Sequence, residues 1–71
     1  MIKPGIYRHY KGPHYEVLDI CVHSETEEKM VYYKPVTKDQ TFVRPYEMFS
    51  EQVLIDGKLV SRFQRVEDSG L

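Results

Sequence analysis

Gln52-Val53-Leu54-Ile55-Asp56-Gly57-Lys58-Leu59-Val60 holds the clearest short-range signal in the sequence. Two apolar, β-branched runs flank Asp56-Gly57. That pair accepts the positive φ angles of a two-residue hairpin turn at little steric cost. The spacing predicts a hairpin with strands over residues 52–55 and 59–66. Upstream, Pro45 suits the first position of a helical turn, so residues 45–49 form one short turn whose Met48 and Phe49 plug an end of the core. Arg44 precedes that proline and is held extended, which ends a short strand over residues 41–43.

Further outward, residues 38–40 are a turn and residues 30–36 a strand rich in β-branched and aromatic side chains. Residues 15–22 carry apolar groups on both faces, as a central strand that curves does. Residues 5–10 form a first strand, ended by Lys11-Gly12-Pro13. Between the second and third strands, Ser24 stands three residues before Glu27 in the spacing of a capping box. The β-rich run that follows favours a loop over a helix. The expectation is a mainly-β chain of five to six short strands with one short helical turn. Its form is a small SH3-like barrel or a highly bent, open meander. One domain spans residues 1–66, and residues 67–71 form a polar tail.

Size and charge bound the function. A chain of 71 residues builds a thin core, and a site on it is a shallow groove, a loop or a surface shared with a second subunit. A formal net charge of −1 provides no strong overall field for nucleic acid or an acidic partner. No apolar run reaches the ~20 residues of a membrane span, and the N-terminus lacks the apolar stretch of a signal peptide. The lone Cys21 forms no intramolecular disulfide, so a reducing cytoplasm is expected. Cys21 itself is expected to pack as a small hydrophobe.

Several pieces, taken in order, carry a resemblance. They are Gly5-x-Tyr7-x-His9-Tyr10-Lys11-Gly12, Tyr15-x-Val17, His23-Ser24-Glu25-Thr26-x-Glu28 and Val31-x-Tyr33. Val43-Arg44-Pro45-x-x-Met48-Phe49-x-Glu51-x-Val53, Asp56-Gly57-Lys58 and Arg62-Phe63 follow. Together they resemble a bacterial family of small proteins known as domain-of-unknown-function family 1653. Cys21 stands where that family has a small alanine-like residue, and Phe42 where it tends to have tryptophan. The resemblance supplies no activity, because the family has no assigned function to carry over.

Four chemistries compete for the polar residues. Metal has only His9, His14, His23 and Cys21 to draw on, and Cys21-x-His23 is one pair where structural zinc needs four ligands. Hydrolysis has the residue types in His23, Ser24 and Glu25. Adjacent side chains on extended backbone face opposite ways, however, and Ser24, Glu25 and Thr26 suit bonds to their own backbone amides. Nucleotide or nucleic acid has Arg8, Lys11, Lys34, Arg44 and Arg62 interleaved with Tyr7, Tyr10, Tyr32, Tyr33 and Tyr46, a stacking surface with phosphate contacts. A protein partner, or a second copy of the chain, needs only exposed strand edges and aromatic grooves.

The reading reached is a cytoplasmic binding module that associates with protein, with itself included, and performs no catalysis. Nucleic-acid binding is the alternative, and a hydrolase using residues 23–28 the more remote one. The candidate binding residues are His9, Lys11, His23, Ser24, Glu25, Thr26, Glu28 and Arg44. The Arg44 guanidinium is expected to pair with Glu25 or Glu28 and so fix the loop. No metal ligands and no cofactor are assigned.

Overall fold

The chain runs through β1 (Gly5–His9), β2 (His14–Val22), β3 (Lys29–Pro35), β4 (Phe42–Pro45), α1 (Tyr46–Phe49), β5 (Gln52–Ile55), β6 (Lys58–Ser61) and β7 (Phe63–Arg65). This is a computed structural model, and it describes residues 1–66. The expected tail at 67–71 lies outside the described residues. Five strands form one antiparallel sheet in the order β4-β3-β2-β1-β7, and β5 with β6 forms a separate two-stranded ribbon. The mainly-β expectation holds, and among its two forms the sheet is the open, bent one.

The bend originates in β2. Its register against β3 shifts between Val17 and Asp19, so Leu18 is an extra residue. A bulge of this kind kinks the strand and raises its twist. It also explains why both faces of that run read as apolar. Beyond the bulge Ile20 pairs with Val31 and packs on the core, which turns Cys21 outward. Cys21 is therefore exposed, where the sequence suggested a packed thiol.

The hairpin turn forms as read, with φ of 50° at Asp56 and 79° at Gly57. The strand expected over residues 59–66 does not run through. It divides at Arg62: β6 pairs with β5, whereas β7 pairs with β1. The Arg62 N–H donates to the Glu51 carbonyl at 2.9 Å and its carbonyl accepts from the Tyr10 N–H at 3.0 Å. One segment thus leaves the ribbon and joins the sheet, giving seven strands where five or six were expected.

Curvature brings the edge strand β7 across the concave face. Phe63 on β7 stacks parallel on Phe49 of α1, with ring centroids 4.0 Å apart. Tyr7 and Tyr33 each meet Phe49 edge-on at 5.5 Å. Edge-to-face and offset-stacked rings contribute about 0.5–1.5 kcal/mol per pair beyond their burial. With Val17 and Val31 these rings are the core. Phe49 is 1% exposed but Met48 is 45% exposed, so only one of the two expected plugs enters. Adjacent residues on a helix lie about 100° apart, and a single turn cannot bury both. Arg44 and Pro45 stay within β4, opposite Val31 and Met30. An edge strand tolerates proline because one row of its amides faces no neighbour.

Candidate functional site

β-Sheet register assembles the site from three strands. Val17 of β2 faces Tyr33 of β3, Tyr33 faces Phe42 of β4, and Val31 faces Arg44. Residues two apart on a strand share a face, so Tyr15, Tyr33, Phe42 and Arg44 emerge together on the concave side. They line an open groove of about 360 Å³, with Gln40 and Lys38 on its rim. Tyr15 meets Tyr33 edge-on at 5.6 Å, and the Phe42 ring lies 6.0 Å from Tyr33. Three aromatic rings and a fixed cation therefore converge on one depression.

Arg44 is held in place by neutral groups. Its Nε donates to the Tyr33 hydroxyl at 3.2 Å, and its guanidinium carbon lies 5.6 Å from the centre of the Phe63 ring. The expected pair with Glu25 or Glu28 is not formed. Arg44 sits beside Val31, on the face that carries Tyr33, whereas the loop hangs beyond Lys29 at the end of the ladder. Among the described residues the ion pair at salt-bridge distance is Arg62–Glu51, at 3.5 Å.

His9 lies beside the groove, on the same sheet face as Tyr7 and Tyr15, with its ring 6.4 Å from that of Tyr15. The His9 ring stacks on Tyr10 at 4.5 Å and meets Phe63 edge-on at 4.9 Å. Its Nδ1 accepts the Lys11 backbone N–H at 3.1 Å, which places the proton of the neutral ring on Nε2. Burial, then the positive charges of Arg62, Arg44 and Lys11, hold its pKa below the ordinary imidazole range. His9 faces a separate hollow of about 240 Å³, shared with Arg8, Ile55 and Val60. The Lys11 ammonium rests 5.8 Å from the Tyr10 ring centre.

Residues 23–28 close on themselves. His23 Nδ1 accepts the N–H groups of Glu25 and Thr26 at 3.1 and 3.3 Å, and Thr26 Oγ1 accepts that of Glu28 at 3.2 Å. The His23 N–H donates to the Glu28 carbonyl and the Glu27 N–H to the His23 carbonyl, both at 2.8 Å. Ser24 and the carboxylates of Glu25 and Glu28 remain at the exposed surface. The loop is ordered by its own backbone and is not joined to the groove.

Several of the residues considered for nucleic acid are engaged in packing or backbone hydrogen bonds. Tyr7 and Tyr33 are core. The Tyr7 hydroxyl bonds both the N–H and the carbonyl of Lys3, and the Tyr46 hydroxyl accepts the Ile2 N–H. Lys34 Nζ donates to the carbonyls of Pro35 and Lys38.

The sequence model of the family described as "Protein of unknown function (DUF1653)" matches residues 5–65. The chain belongs to that family. It is similar to a crystal structure of a DUF1653 protein from Bordetella bronchiseptica, at 32% identity and a TM-score of 0.82, over 92% of this chain and 87% of that one. Comparison with curated proteins returns no match. No helix among the described residues is long and apolar enough to cross a membrane. Of the residues lining this candidate groove, Arg44 was among the candidates expected from the sequence, whereas Tyr15, Phe42, Lys38 and Gln40 were not. The available signal was spacing: Phe42-x-Arg44 and Tyr15-x-Val17 each put two residues on one face.

Proposed function

We propose that this DUF1653 protein is a binding module that receives an extended segment of a protein partner in the groove of Tyr15, Tyr33, Phe42 and Arg44. The observation that carries it is the Arg44 guanidinium, fixed by Tyr33 and Phe63 at an aromatic depression without an acidic partner among the described residues. Aromatic walls supply contact area at low conformational cost, and one fixed charge sets the register. Peptides selected for binding to the full chain test it. They should bind at least tenfold more weakly to Phe42→Ala, and tyrosine shifts should map to residues 15 and 33. Peptides indifferent to Phe42, or tight oligonucleotide binding that falls steeply with salt, would instead favour another surface or nucleic acid.

Self-association is a second reading, favoured by the β5–β6 ribbon. Leu54 and Leu59 are direct cross-strand partners and are 68% and 65% exposed. A two-stranded ribbon is marginal in water unless it packs on something. Sedimentation equilibrium at tens of micromolar should show a dimer that Leu59→Asp returns to a monomer.

A further inference from the structure

Arg44 has a geometry more specific than a positive charge at a groove. Its Nε is already committed to the Tyr33 hydroxyl at 3.2 Å. The two terminal nitrogens are left to act end-on, as a fork whose parallel N–H groups match the two oxygens of one carboxylate. The fork is also preorganised. Arg44 is anchored through the β4 ladder opposite Val31, and its guanidinium lies over Phe63, itself stacked on Phe49. Little rotamer freedom remains to be lost when an anion docks.

We propose that Arg44 is a carboxylate receptor, taking the side chain of an aspartate or glutamate in the segment that occupies the groove. This rests on the groove reading above and specifies its ligand. Charge favours it: no acidic side chain lies at salt-bridge distance from Arg44 among the described residues, and the other groove cation, Lys38, has the same sign. Glu51, the acid on the neighbouring β5 approach, is already engaged by Arg62 at 3.5 Å. A phosphoryl group is met by clusters of guanidinium groups. Here Arg62 does not line the groove, which leaves one fixed guanidinium in it, suited to a monoanion.

The experiment titrates the full chain, labelled with nitrogen-15, with sodium acetate, sodium phosphate and sodium chloride at matched ionic strength. Acetate should shift the Arg44 Nε–H resonance saturably while chloride does not. The His9 pKa should rise in the same titration, because a bound anion offsets Arg44, one of the cations that depress it together with Arg62 and Lys11. Arg44→Gln should abolish both responses, and Arg44→Lys should weaken the acetate response by tenfold or more. An acetate response equal to that of chloride, or one surviving in Arg44→Gln, overturns the receptor. Phosphate binding tenfold tighter than acetate overturns the choice of carboxylate. If Arg44→Gln fails to fold, acetate against chloride on the unaltered chain decides. Selected peptides that keep their affinity for Arg44→Gln but lose it for Phe42→Ala remove the receptor and leave the groove. Peptides that map elsewhere remove the groove itself.

Discussion

The loop at residues 23–28 and the groove at Arg44 are both dense in polar groups, but they direct them oppositely. In the loop the imidazole of His23 and the hydroxyl of Thr26 accept neighbouring backbone N–H groups, so the polar side chains serve local order. In the groove a guanidinium is placed among rings, with one neutral hydrogen-bond partner among the described residues. A high count of hydrogen-bonding residues therefore marks local closure as readily as recognition. Unpartnered capacity on a rigid frame is the more telling sign, since a preorganised group loses little conformational freedom when a ligand docks.

The largest effect expected comes from the ring that supports the groove. Phe63→Ala removes the partner of Phe49, Tyr15 and Arg44 together, and should lower stability by about 3–5 kcal/mol in urea unfolding. A loss below about 1 kcal/mol would show that the groove floor is not packed as described.

Next is His23→Ala. It removes the acceptor for two loop amides and should cost about 1–2 kcal/mol, while peptide affinity at the groove stays unchanged. Weakened peptide binding with unchanged stability would reverse the assignment of roles between the two regions.

A smaller effect follows from pH. The His9 pKa is depressed in the folded chain, so the unfolded chain binds a proton first as pH falls below about 6.5. The His9 contribution is fully present above that value and is lost as pH falls toward and through the folded pKa. His9→Asn keeps an acceptor for the Lys11 N–H without a titrating ring. Its stability should decline less than that of the unaltered chain between pH 7.5 and 5.5, and an equal decline would count against the cationic surroundings of His9. Smallest is Glu25→Gln, expected to change stability by less than about 0.5 kcal/mol, because the carboxylate is exposed and unpaired among the described residues.

Much of the fold was legible in local chemistry. Asp56-Gly57 specified its turn, Lys11-Gly12-Pro13 ended β1, and Pro45 led into α1, because each acts through φ angles within a few residues. Non-local events were not legible. The switch of the chain between sheets at Arg62 depends on Glu51 and Tyr10, far away in sequence. The bulge at Leu18 shows only as apolar residues on both faces, which a continuous buried strand also has. For the candidate site, the fixed placement of Arg44 was legible because a residue before proline has a constrained backbone. Its partner was misassigned because β3–β4 register decides which face it shares, and Val31 rather than the loop turned out to be its neighbour.

We infer that the groove, not the loop, is where this chain meets a ligand. An amide and side-chain shift map of the labelled full chain, recorded against a selected acidic peptide, tests it most directly. Saturable shifts at Tyr15, Tyr33, Phe42 and Arg44, with residues 23–28 unmoved, are the predicted result. Shifts concentrated at His23, Glu25 and Thr26, with Arg44 unmoved, would contradict it.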